Sequence, residues 1–129
     1  MEPDEKTNQL SNRVIGAAIE VHKHLGPGFL ESIYEEALCV ELKIQGIPFE
    51  RQVPVSVVYK GHQIGEGRMD LLVDKSMVVE LKSVDELVPI HTAQVLSYLR
   101  ATNLPLGLLI NFNVSALKNG VRRVVLTGK

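Results

Sequence analysis

The stretch from Arg68 to Lys82 constrains the fold more than any other part of the chain. Two apolar, β-branched runs flank Asp74-Lys75-Ser76, and a turn at those residues pairs Val73 with Met77, Leu71 with Val79 and Asp70 with Glu80. Side chains alternate along a strand, so Met69, Leu71, Val73, Met77, Val79 and Leu81 share one wholly apolar face. A hairpin with such a face must be covered by other elements. Its opposite face carries Leu72 and Val78 near the turn, then Arg68, Asp70, Glu80 and Lys82 at the open end.

The covering elements are legible on either side. Leu10, Val14, Ala17, Val21 and Leu25 draw one helical stripe that ends at Gly26-Pro27. A second helix is predicted from Leu30 to Gln45, with Leu30, Ile33, Ala37, Leu38 and Leu42 inward and Glu31, Glu35 and Glu36 in its early turns. Strands are expected at Glu50–Tyr59, Gln63–Glu66, Arg68–Val73 and Met77–Lys82. A third helix at Ile90–Ala101 and strands at Gly107–Phe112 and Val121–Leu126 follow. The order, two helices, several strands, a helix and two strands, is that of an α/β protein with a central mixed sheet flanked by helices.

With 129 residues the chain suits a single domain, 1–129, with residues 1–6 a loose terminus. Its 45% hydrophobic and 22% charged residues exclude a disordered or fibrous chain. The lone Cys39 cannot close an internal disulfide; it reads as a small core residue in a reducing, cytoplasmic setting. No apolar run approaches the roughly 20 residues that cross a bilayer, so no membrane role is expected. A net charge of -1 excludes a strongly basic nucleic-acid coat, and the absence of Trp leaves few base-stacking platforms.

Like charges directly across a strand pair, with Cβ atoms about 4.5–5.5 Å apart, are unfavourable unless a cation lies between them. Asp70 and Glu80 invite two solutions. In one, Arg68 and Lys82 neutralise them as a surface charge ladder. In the other, their oxygens hold Mg²⁺, a hard cation that keeps several waters, and Lys82 stands beside a metal-bound water and a phosphate.

The pattern Asp70-x9-Glu80-Leu81-Lys82 resembles the D…ExK core of the PD-(D/E)XK nuclease superfamily, with Met69 where the superfamily name has Pro. The segment Gly28-Phe29-Leu30-Glu31-Ser32-Ile33-Tyr34 is similar to the signature of the GxxExxY family within it. Val21-His22, Tyr59-Lys60-Gly61, Leu109-Ile110-Asn111-Phe112 and Gly120-Val121-Arg122-Arg123 resemble that family too. The resemblance implies a restriction-endonuclease-like fold and metal-dependent phosphodiester hydrolysis. It also implies that Asp70, Glu80, the Leu81 backbone carbonyl and a helix glutamate, Glu31, hold Mg²⁺, with Mn²⁺ able to substitute. Lys82 then orients or activates the attacking water.

Gln94 and Tyr98 lie one turn apart on the third helix, opposite Val95, Leu96 and Leu99, placed to steady Lys82 or touch the substrate backbone. Arg68 is a further substrate contact. Glu35 reads as an acid favouring the helix N-terminus, and His22, His24, His62 and His91 lack the paired spacing of a zinc site. The expected function is a Mg²⁺-dependent nuclease acting on DNA, paired as a homodimer so that two sites meet two strands. The alternative is a non-catalytic nucleic-acid or protein-binding module on the same scaffold.

Overall fold

Asp4 starts the first helix: its Oδ1 accepts the Thr7 backbone N–H at 2.8 Å, satisfying a donor that the helix start would leave bare. The computed structural model describes residues 2–127. Helix α1 spans Glu5–Leu25, so it begins inside the segment expected to be loose, and α2 spans Glu31–Ile44. Strands β1 (Phe49–Tyr59), β2 (His62–Val73) and β3 (Met77–Lys82) follow, then α3 (Pro89–Thr102), β4 (Leu106–Asn111), a 3-10 turn (Leu117–Gly120) and β5 (Val121–Val125). The two short strands expected at Gln63–Glu66 and Arg68–Val73 are one continuous strand, which passes through Gly67 without a break.

The sheet runs in the order β1-β2-β3-β4-β5, parallel only between β3 and β4. The turn is as expected: Val73 pairs with Met77, Leu72 with Val78 and Leu71 with Val79. Asp74 and Lys75 take the positive φ that turns the chain. Helices α1 and α2 cover one face, where Val14, Ala17, Tyr34, Leu38 and Leu42 pack with Leu71, Val79 and Leu108. Helix α3 covers the other, where Val95 and Leu99 meet Val78, Leu109 and Val124. Each such side chain contributes about 1.5–3 kcal/mol by leaving water. Gly107 lets α3 sit close, since a Cβ there would lie 2.6 Å from Val95 Cγ1.

Three expectations need correction. In α2, Leu30 and Ile33 are exposed, and the inward set is Tyr34, Leu38, Cys39 and Leu42. Leu30 precedes the helix, and the stripe is rotated to bring the Tyr34 ring onto Phe112, stacked at 4.5 Å. Met69 is buried, but in the α3-side cluster rather than beside Leu71. Alternation fails between them because Asp70 and Gln52, opposite each other, drop out of the β1–β2 ladder, and Gln52 has φ 50°. Finally, the β2–β3 pairing stops at Leu71 and Val79, so Asp70 and Glu80 are not a backbone pair.

Candidate active site

Where the β2–β3 ladder stops, carboxylates take its place. Asp70 N–H donates to Glu80 Oε2 at 2.8 Å, and Leu81 N–H donates to Asp70 Oδ2 at 2.8 Å. Each acid therefore binds the other strand's backbone through one oxygen, leaving Asp70 Oδ1 and Glu80 Oε1 for other partners. In a strand a residue's N–H and C=O point to the same edge, so the Leu81 carbonyl faces Asp70 as its N–H does. Lys82 is on the opposite phase: its carbonyl accepts the Phe112 N–H at 3.0 Å, on the β4 side.

The charge ladder expected as one solution does not form. Among the described residues no Lys or Arg comes within 4.0 Å of the Asp70 or Glu80 carboxylate, the ion pairs being His24–Glu20, Arg51–Glu35 and Arg51–Glu36. Arg68 is exposed and its guanidinium donates to the Gln52 carbonyl at 3.4 Å. The reason is geometric: the strands separate beyond Leu71, and backbone N–H groups occupy the positions that cations would take.

Glu80 is 3% exposed. Burial first, and then the Asp70 charge, push its pKa up to about 8. Burial also raises that of Asp70, with Glu35 and Glu31 adding to the effect and the Leu81 N–H opposing it. A buried carboxylate such as that of Glu80 is costly unless a cation lies beside it. The donor set fits a hard divalent cation: two carboxylates, each with one oxygen not bonded to backbone, and a carbonyl on the same edge. No group of three or more His, Cys, Asp or Glu side chains among the described residues is arranged to hold a metal ion.

Glu31 opens α2 and is exposed; its charge reaches Asp70 and Glu80 without a hydrogen bond to either. The loop before it is fastened to the site, because Ser83 Oγ, next to Lys82, donates to the Phe29 carbonyl at 2.6 Å. Tyr34, the last signature residue, is fully buried; its hydroxyl donates to the Gly26 carbonyl at 2.6 Å and accepts the Phe29 N–H at 3.1 Å. Its part is to set the α1–α2 loop. Gln94 Nε2 reaches the Tyr98 hydroxyl at 3.4 Å, and the Tyr98 ring lies over Gly67, where a Cβ would meet it at 3.0 Å. Neither hydrogen-bonds Lys82 in the described structure.

A sequence model of the PD-(D/E)XK nuclease superfamily matches residues 8–124, which include every residue of this site. The chain belongs to that superfamily. The fold agrees: the crystal structure of SSO0001 superimposes with a TM-score of 0.59 at 22% identity, over 76% of this chain and 50% of that one. The chain thus spans about half the length of that relative, and the shared feature is the restriction-endonuclease-like fold. No curated protein matches the sequence.

One residue beside the site, Gln52, carries no periodic mark in the sequence pattern. Gln52 Nε2 donates to Glu35 Oε1 at 2.9 Å and lies 3.5 Å from Asp70 Oδ1. Glu35, read as a helix-terminus acid, is instead the better-connected of the two helix glutamates. No periodicity flagged Gln52; a polar residue amid Val53, Val55 and Val57 was the available signal. The histidines are structural where they are bonded: His22 Nε2 meets the Val114 carbonyl at 2.8 Å, and His91 Nδ1 accepts the Val88 N–H at 3.1 Å.

Proposed function

We propose that the protein is a metal-dependent nuclease that hydrolyses phosphodiester bonds in DNA, with Mg²⁺ or Mn²⁺ held by Asp70, Glu80 and the Leu81 carbonyl and assisted by Glu31. The observation that carries this reading is the carboxylate pair at the end of the β2–β3 ladder, Glu80 buried and Asp70 half-buried, with no Lys or Arg within 4.0 Å of either among the described residues and Lys82 next along β3. A bound divalent cation supplies Lewis-acid polarisation of the phosphate and a more acidic water.

The chain's own residues do the rest. Glu80, protonated near neutral pH in the bare protein, releases its proton to become a ligand. The Asp70 and Leu81 N–H groups hold the two acids at a fixed spacing. Lys82 orients the attacking water, and its charge offsets the negative charge that gathers on phosphorus oxygens as the water adds. Gln94, Tyr98 and Arg68 contact the sugar-phosphate backbone. The Gly28 to Tyr34 segment supports membership of the GxxExxY family, and Cys39, a buried free thiol, supports a cytoplasmic setting. The chain acts as one domain and pairs as a homodimer to serve two strands; light scattering at micromolar concentration, giving twice the mass of one chain, checks the pairing.

A panel of linear, circular, single-stranded and branched DNA with Mg²⁺ or Mn²⁺, and with EDTA as the control, tests the reaction. Cutting that EDTA abolishes is the expected result. Folded protein that cuts none of them with either metal is instead a binding module.

A further inference from the structure

Gln52 is held in a conformation that strands avoid. Its φ is 50°, a left-handed geometry that costs a side chain other than glycine roughly 1–2 kcal/mol and persists only where the surroundings impose it. The ladder on either side is regular, Arg51 with Leu71 and Val53 with Met69, so this twist is local to Gln52 and Asp70. Its consequence is to bring the Gln52 carboxamide between two acids, Glu35 and Asp70, at 2.9 and 3.5 Å. Glu35 is anchored in turn by Arg51, whose Nε and Nη2 donate to its Oε2 at 3.1 and 3.0 Å. Arg51 also binds Glu36 at 2.7 Å. A line of contacts thus runs from α2 through adjacent residues of β1 to Asp70 Oδ1, the oxygen that the Leu81 N–H leaves free.

Building on the reading of Asp70 as a metal ligand, we infer that Gln52 is a positioning residue, anchored by Glu35, that aims Asp70 Oδ1 at the metal. Its two N–H donors face one carboxylate each, so it holds apart two like charges that would otherwise turn Asp70 from its place. Partners of this kind, one step behind a ligand, typically change metal affinity by 10–100-fold when removed.

Gln52→Asn tests this directly. Asparagine accepts the left-handed backbone more readily than glutamine, but its side chain is one methylene shorter and withdraws the amide from both acids. The melting temperature of the metal-free variant should equal or exceed wild type, while the Mn²⁺ dissociation constant by calorimetry rises about tenfold or more. In the DNA assay kcat should fall with KM unchanged. Gln52→Leu, which keeps bulk and loses both donors, should weaken Mn²⁺ at least as much. Wild-type Mn²⁺ affinity in Gln52→Asn would overturn the positioning role and leave the nuclease reading standing. A variant that loses melting temperature and affinity together would make Gln52 a fold residue only, which also overturns it. Wild-type protein that binds no Mn²⁺ would overturn the metal site and this role with it.

Discussion

The two ends of the β2–β3 hairpin are built from the same strands and obey different rules. Near the turn, Leu71, Val73, Met77 and Val79 are fully buried and the backbones pair with each other. Just beyond that pairing, the backbones bond to carboxylates, and Glu80 is nearly as buried as its apolar neighbours with no Lys or Arg within 4.0 Å among the described residues. The dry end contributes stability by removing apolar surface from water. The polar end holds carboxylates whose charged forms burial disfavours, which is where the metal proposed above would act.

Substitutions at the two ends should therefore fail in different ways. The largest loss of stability belongs to the dry end: Leu71→Ala should cost about 2–5 kcal/mol in denaturant unfolding, and activity per folded molecule should persist. At the polar end, Asp70→Ala should lower cutting by about 10³-fold or more, since the metal role proposed for Asp70 carries several kcal/mol of charge stabilisation. Its melting temperature should stay near that of wild type. A stable Leu71→Ala, or an unstable and active Asp70→Ala, would break the contrast.

Metal sharpens it. At a hundredfold excess over its dissociation constant, Mn²⁺ should stabilise wild type by about 2.7 kcal/mol, and Asp70→Asn should gain little. Without metal, Asp70→Asn should match or exceed wild type, because it removes a carboxylate whose charged form is disfavoured by burial and by the Glu35 and Glu31 charges.

The pH response of the metal-free protein comes next in size. Glu80 sits at about 8 when folded, against 4.5 for a free glutamate, so between those values the native state holds a proton that the unfolded chain has released. Stability is full below pH 4.5 and falls as pH rises towards 8, by up to about 1.4 kcal/mol per unit. The raised Asp70 acts in the same direction. Thermal melts across this window should slope downward for wild type, and Glu80→Gln should remove most of the slope.

The smallest expected effect on stability is at Lys82, which makes no ion pair within 4.0 Å among the described residues. Lys82→Met should change unfolding free energy by less than about 0.5 kcal/mol and abolish cutting. Calorimetric Mn²⁺ binding by that variant should remain.

How far the sequence reaches can be read from the same residues. The turn at Asp74 to Ser76, the pairing of Val73 with Met77 and Leu71 with Val79, the stripe of α1 and the burial of Cys39 follow from short-range rules: period two in strands, 3.6 in helices, and turn chemistry. The Asp70 and Glu80 pair and Lys82 were visible as a spacing. What spacing does not carry is contact between segments far apart along the chain. Tyr34 turned α2 because Phe112, on a distant strand end, offers a ring to stack on. Met69 changed faces because Gln52 on β1 breaks the ladder opposite Asp70. The expected charge ladder gave way because backbone N–H groups reached the carboxylates first. Periodicity is a property of one segment and is written locally. Side-chain partners across segments depend on how the layers pack and twist, and so the tertiary structure alone determined which helix glutamate connects to Asp70 and through which residue.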